Sequence, residues 1–289
     1  MPRLLISAGT TDGALLLGDG EREPFRALAE GNFRGMCRSD GLAYAVTAEG
    51  RLFEITPENG ACQQIAELGW EECHDLRRLG EHYYLVATQS NTIIRYDLTW
   101  REVDRRVLFA RDDDILHVNS LCLRGDDESD GLYVSVFTLT PGTRKEKRLK
   151  HVWKRDGRVL LLDWQTGRWT PVSQPLGQPH SLTVTDGHLV LCNSYWRELC
   201  ALDPTTGVTQ RLAGTPGWCR GLAFDEQVGR KRCWVGISAN RRRLLKWRGR
   251  YGQIAVYETA TEHGPLPRWR LQRQLPAPAA EIYDLEVLD

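Results

Sequence analysis

Apolar and polar residues alternate over short runs along the whole chain, and turn signals separate the runs about every 8 to 12 residues. These signals include Asp40-Gly41, Asn59-Gly60, Asp130-Gly131 and Asp186-Gly187. A helical period is not sustained over any long window. The pattern therefore predicts an all-β protein built from many short strands.

Six segments of the chain align around one short core, in which a variable residue is followed by Gly, Asp or Ser and then by Leu or Met. The variable residues are Arg34, His74, Asn119, His180, Arg220 and Tyr283. They recur about every 40 residues, or about every 60 where residues are inserted, and such a period with four short strands per unit is typical of propeller blades. We therefore expect a six-bladed β-propeller.

The two ends of the chain predict how the ring closes. The last repeat stops after one strand, "EIYDLEVL", whereas the chain begins with three strands that lack a first one. We expect the C-terminal strand to complete the N-terminal blade as its innermost strand, because this pairing removes an exposed sheet edge. Residues 1–289 would then form a single domain.

Two basic insertions, residues 140–157 and 240–253, interrupt the pattern between the second and third strands of their blades. Both are therefore expected on one face of the ring. They are either solvated loops or a cationic rim that attracts an anionic ligand.

Composition narrows the classes of partner and compartment. The 38 basic and 38 acidic residues cancel, so no global field favours nucleic acid. No stretch of 18 apolar residues is present that would span a membrane. The eight cysteines lack C-x-x-C pairs, which favours small buried thiols in a reduced, cytoplasmic protein.

Closure of the ring would gather polar side chains around the channel. If the variable residues point to the axis, the residues two positions earlier share their strand face, one layer nearer the mouth. These outer positions are Asn32, Glu72, His117, Gln178, Trp218 and Glu281. The residues that follow the variable positions are small or acidic and are expected to bond backbone between blades; they are Gly35, Asp75, Ser120, Ser181, Gly221 and Asp284.

The three channel histidines, His74, His117 and His180, come from neighbouring repeats. A single histidine is usually structural, but three imidazoles with an open position are a common catalytic metal site. We expect one divalent or redox metal ion, Zn, Mn, Fe or Cu. Glu72 or Glu281 would complete the site or act as a general base. A register slip of one residue would turn all three rings away.

Arg34 and Arg220 form the second part of the candidate site, because a buried guanidinium suits a carboxylate, phosphate or sulfate. Internal pairing with Glu72, Glu281 or Asp284 is the alternative. Asn119 and Trp218 complete the predicted substrate-binding set. The candidate catalytic residues are Glu72, Glu281 and Tyr283.

Several channel segments resemble those of an uncharacterised family of bacterial six-bladed propellers. They are "HVNS", "PHS", "NS", "RGLAF" and "EIYD", at residues 117–120, 179–181, 193–194, 220–224 and 281–284. More distantly, the chain is similar to the gluconolactonase, senescence-marker and strictosidine-synthase-like superfamily. That resemblance implies activity at the channel mouth, often with one divalent metal, although the Glu, Asn, Asn, Asp metal set of those enzymes is not visible here.

Three functional hypotheses follow from these residues. The first is a metal-dependent enzyme that acts on a small anionic or polar substrate at the channel mouth, with hydrolase, lyase, isomerase or oxidation chemistry undecided. The second is a non-catalytic propeller that captures an acidic peptide, protein or glycan through basic loops such as residues 241–243. The third is metal-free acid–base chemistry by Glu281, Tyr283 and a histidine.

Overall fold

The protein is an all-β molecule in a computed structural model that describes residues 2–9, 13–110, 114–125, 127–140, 155–185, 187–227, 230–239, 252–259 and 269–288. Within these residues, 24 strands form six four-stranded antiparallel sheets. The only helix among the described residues is a 3₁₀ turn, Glu128–Asp130. These residues contain no helix that is long and apolar enough to cross a membrane. The predicted six-bladed propeller is confirmed.

The first three blades contain the two ends of the chain and the first histidine repeat. Blade 1 comprises β24 (Glu281–Val287), β1 (Leu4–Gly9), β2 (Ala14–Gly18) and β3 (Arg26–Glu30). Blade 2 comprises β4 (Phe33–Ser39), β5 (Leu42–Thr47), β6 (Arg51–Thr56) and β7 (Ala61–Glu67). Blade 3 comprises β8 (Cys73–Leu79), β9 (His82–Ala87), β10 (Thr92–Tyr96) and β11 (Glu102–Val107).

The other three blades include both insertions, each between the second and third strands. Blade 4 comprises β12 (Val118–Leu123), β13 (Leu132–Val136), β14 (Arg158–Leu162) and β15 (Trp169–Pro171). Blade 5 comprises β16 (Pro179–Thr185), β17 (His188–Asn193), β18 (Glu198–Leu202) and β19 (Thr209–Gly214). Blade 6 comprises β20 (Trp218–Gln227), β21 (Arg230–Ser238), β22 (Gln253–Thr259) and β23 (Trp269–Pro276).

The ring closes as the sequence predicts. Strand β24 pairs antiparallel with β1, with Leu4 opposite Val287 and Ser7 opposite Asp284. Blade 1 therefore contains strands from both ends of the chain. Because β1 has a partner on each side, the N-terminal strand has no unpaired edge.

The hydrophobic core of the described residues consists of six clusters, one between each pair of neighbouring blades. Consecutive residues of an innermost strand enter different clusters: Met36 packs with blade 1, and Cys37 packs with blade 3. The faces of these strands are thus occupied by neighbouring blades. The innermost strands meet the channel at their edges. Alternation of side chains between the two faces of a strand is therefore not enough to direct a side chain toward the axis.

The small or acidic column bonds backbone between blades, as predicted. Asp284 accepts from the amide of Met36, and Asp75 accepts from that of Leu121. Ser120 and Ser181 receive the amides of the next blades in the same way. At Gly35 there is no room for a side chain, because a Cβ atom would collide with the backbone of the adjoining blade. Each hydrogen bond of this kind contributes about 0.5–1.5 kcal/mol.

Candidate functional site

A β-bulge lies in the innermost strand of every blade, at the variable position or directly after it. His74 is the extra residue between the pairs Cys73–Ala87 and Asp75–Val86, and Asn119 and Tyr283 occupy the equivalent place in their blades. The other innermost strands shift register at the same level, within Phe33–Met36, His180–Thr183 and Arg220–Leu222. A bulge bends the strand and changes the direction of a side chain, which accounts for the convergence of these residues.

The expectation that outer and inner positions share one strand face is wrong in three blades. Glu72, His117 and Gln178 precede their strands and have left-handed backbone, with φ of 51°, 51° and 55°. Such φ values are uncommon for residues other than glycine and are concentrated at functional sites. Their occurrence at equivalent positions of three adjacent blades marks this end of the channel.

Two guanidinium groups contact one aromatic ring at the channel. The Cζ atoms of Arg34 and Arg220 lie 4.0 and 4.3 Å from the centroid of the Tyr283 ring. Both arginines are buried, with exposed fractions of 9% and 1%. The Tyr283 hydroxyl donates to Glu281 Oε2 at 3.1 Å, and the same oxygen lies 3.8 Å from Arg220 Nη1. Glu281 and Tyr283 are therefore beside both predicted anion-binding residues.

The two arginines differ in their partners. Arg34 Nε donates to the Asn32 amide oxygen at 3.0 Å, and among the described residues no carboxylate forms an ion pair with it. Asp284, which the sequence offered as an internal partner, instead pairs with Arg77. A cation–π contact contributes about 0.5–2 kcal/mol, whereas desolvating a charged group costs several kcal/mol. The neutral contacts of Arg34 thus leave its charge poorly compensated.

His74 lies in a positive environment that keeps its imidazole neutral. Burial and the charges of Arg34, His117, Arg220 and His180 hold the pKa of His74 well below its usual value. The amide nitrogen of Asn119 is 3.5 Å from His74 Nδ1, and Glu72 Oε2 is 3.5 Å from Nε2.

Glu72 is 45% exposed at its side chain, so it connects His74 with solvent at the mouth. The His74 ring also lies edge-on to Tyr283, with centroids 6.2 Å apart.

The other two histidines join the same cluster through an aromatic residue that sequence reasoning missed. The His117 ring is 4.9 Å from His74, and the Phe137 ring is 4.2 Å from His117 and 4.9 Å from His180. His180 Nδ1 contacts Ser194 Oγ at 2.7 Å and the Gln178 carbonyl at 2.9 Å. The partly buried Trp218 ring is 6.1 Å from His180.

The structure therefore brings together all ten residues predicted for the site. The metal prediction is not established by this proximity. Among the residues that the structure describes, no group of three or more His, Cys, Asp or Glu side chains is arranged to hold a metal ion. The apolar Phe137 ring contacts both His117 and His180. Metal binding stays a prediction.

The basic parts of both insertions, residues 141–154 and 240–251, lie outside the described residues, so the predicted cationic rim stays a prediction. The base of the first insertion is described. The hydroxyls of Thr138 and Thr140 donate to Asp156 Oδ2 at 2.8 and 2.6 Å, and Arg155 lies over the exposed Trp196 ring at 5.1 Å.

Comparisons with known proteins give the architecture. No family model matches the chain, and no curated protein matches it. A chain of the nidogen–laminin complex superposes with a TM-score of 0.66 at 12% identity, covering 99% of this chain and 97% of that one. An auxiliary nutrient binding protein from Bacteroides thetaiotaomicron gives a TM-score of 0.54 at 13% identity, covering 77% and 61%. At such identities the likeness shows the six-bladed β-propeller fold alone.

Proposed function

We propose that the protein is an enzyme that acts on a small anionic substrate at the mouth of the propeller channel. The observation that carries this proposal is Arg34, a buried cation whose partners among the described residues are neutral. Its planar guanidinium suits a carboxylate or phosphate group. Arg220, across the same tyrosine ring, would supply a second cation. Asn119 and Trp218 would line the remainder of the bound molecule.

The residues around the anion site support acid–base chemistry. His74 stays neutral in its positive environment, so it offers hydrogen bonds rather than charge to a bound molecule, and Glu72 beside it reaches solvent and is a candidate general base. Tyr283 and Glu281 share a hydrogen bond next to Arg220. The resemblance to uncharacterised bacterial propellers, and more distantly to the gluconolactonase superfamily, also favours the channel positions as the working site.

Calorimetry with inorganic phosphate at low ionic strength tests the anion site. We expect wild-type protein to bind phosphate and Arg34→Gln to lose at least about tenfold in affinity, or 1.4 kcal/mol. Arg51→Gln is the matched control, because Arg51 is an exposed arginine of the same blade that pairs with Glu49. Equal phosphate affinity in wild type and Arg34→Gln, or no binding of phosphate or malonate by wild type, would contradict the proposal.

Incubation with a small-molecule extract, followed by mass spectrometry, tests for catalysis. An enzyme should convert an anionic compound, and Arg34→Gln should not. Retention of a compound without conversion would instead support the second candidate, a binding propeller. The Arg155–Trp196 pair favours that candidate because it offers a cationic and aromatic surface outside the channel.

The metal part of the proposal needs a separate measurement. Elemental analysis of protein purified without a histidine tag should show one equivalent of Zn, Mn, Fe or Cu if His74, His117 and His180 bind an ion. His117→Ala should then lose it. Protein that stays metal-free after dialysis against each of these ions would contradict the metal prediction and leave the proposed anion site unaffected.

A further inference from the structure

His117 is held at the channel in a conformation that needs support. Its backbone is left-handed. It is the residue directly before β12, at the end of the segment that connects β11 with β12. The ring is buried, with Phe137 against it and His74 at its edge. Sequence reasoning placed His117 in the site but gave no residue that sets the orientation of its imidazole.

A carboxylate three residues earlier sets that orientation. Asp114 Oδ2 lies 2.7 Å from His117 Nδ1, and both side chains are buried. An ionised carboxylate only accepts hydrogen bonds, so Nδ1 carries the hydrogen. The lone pair is then on Nε2, at the other side of the ring.

The backbone around His117 is fixed without Asp114. The Leu116 amide donates to Asn91 Oδ1 at 2.9 Å, and the Leu116 carbonyl accepts from the Phe137 amide at 2.9 Å. On the other side, Thr88 Oγ1 donates to the Val118 carbonyl at 2.5 Å. Three hydrogen bonds that do not involve Asp114 therefore hold this segment, and the contact of Asp114 with the ring has a separate consequence for the tautomer of His117.

We propose that Asp114 is a positioning residue that fixes His117 as the Nδ1–H tautomer and presents Nε2 to the ligand of the channel. This inference rests on the proposed function, because it specifies which atom of His117 meets the substrate or its metal. His180 offers an internal comparison, since its Nδ1 contacts a backbone carbonyl in addition to Ser194. Deletion of the Asp114 side chain would remove the carboxylate at His117 Nδ1, whereas deletion of the Ser194 side chain would leave His180 Nδ1 its carbonyl partner.

Long-range ¹H–¹⁵N NMR of protein with labelled histidine reads each tautomer directly. Spectra are taken at about pH 9, well above the usual pKa of histidine, and His117→Gln assigns the signal. We expect Nδ1–H for His117 in wild type and a shift toward Nε2–H in Asp114→Ala. Ser194→Ala should leave the tautomers of both His117 and His180 unchanged.

An Nε2–H tautomer for His117 in wild type, or an unchanged Nδ1–H tautomer in folded Asp114→Ala, would overturn the proposal. If Asp114→Ala does not fold, the wild-type spectrum alone still decides whether Nδ1 carries the hydrogen. Phosphate affinity measured on the same samples tests the anion site separately. If wild-type protein does not bind phosphate, the proposed function is contradicted but the tautomer assignment is not.

Discussion

Two arginines of the ring, the buried Arg34 and the partly buried Arg77, have opposite surroundings. Arg77 contacts three carboxylates, with Nε 3.0 Å from Asp75, Nη2 3.4 Å from Asp284 and Nη1 3.7 Å from Glu286. Arg34 contacts an amide oxygen and an aromatic ring. The first arginine is satisfied by the protein itself and ties blade 3 to blade 1. The second has a charge that a ligand is able to complete, so burial of an arginine alone does not identify a binding site.

Removal of Arg77 should have the largest effect on stability. Arg77→Met leaves Asp75, Asp284 and the partly buried Glu286 without their cation, and we expect a loss of about 3–5 kcal/mol in the free energy of unfolding. Urea denaturation at pH 9 measures it. The pKa values of Asp284 and Glu286 are raised to about 6 and about 8, and protonation removes the repulsion between the carboxylates, so the loss should shrink as the pH falls through this range; a loss that is independent of pH would show that packing, not charge, is responsible.

Glu286 should make stability depend on pH in the alkaline direction. Burial, helped by the charges of Asp284 and Asp75, raises the pKa of Glu286 to about 8, from 4.5, although Arg77 and Arg38 oppose the shift. A carboxyl group with a raised pKa favours the folded state when protonated, so its contribution is full below about pH 4.5 and is lost as the pH rises through about 8.

The neutral variant Glu286→Gln isolates this contribution. We expect it to unfold like wild type at pH 5 but to be about 1–2 kcal/mol more stable than wild type at pH 9. Thermal unfolding at both pH values checks this. A wild-type protein that gains stability relative to Glu286→Gln with rising pH would have the wrong sign.

Arg34 should matter least for stability and most for binding. Arg34→Met replaces a poorly compensated buried charge with an apolar side chain, so we expect the free energy of unfolding to change by less than about 1 kcal/mol or to rise. Phosphate binding should be lost in the same protein. If Arg34→Met instead loses as much stability as Arg77→Met, the proposed difference between the two arginines does not exist.

The sequence was sufficient for the architecture because blades are local units. Each antiparallel sheet is contiguous except blade 1, and its turns carry their own signals. The six aligned segments also identified the converging residues, since equivalent positions of a repeat occupy equivalent positions in the ring. Ring closure followed from counting strands: three at one end and one at the other.

The β-bulges that bring the variable residues together were harder to predict from the sequence. A bulge depends on how two strands pair. Its indication in the sequence is the small or acidic residue after each variable position, such as Gly221, which has a φ of 66°. The left-handed Glu72 and Gln178 carry no comparable sign, because their side chains do not favour that conformation. Asp114 and Phe137 were missed because they lie outside the aligned core, whereas Ser194 was noted only as part of the "NS" segment and without a role.

Strand β24 links the candidate site to closure of the ring. It contributes Glu281 and Tyr283 to the candidate site and Asp284 and Glu286 to the Arg77 cluster, and it pairs with β1. A partly assembled ring would therefore have neither a complete anion site nor its ionic clasp. Because the proposed anion site needs residues of β24, binding of an anion would also report that the ring has closed correctly.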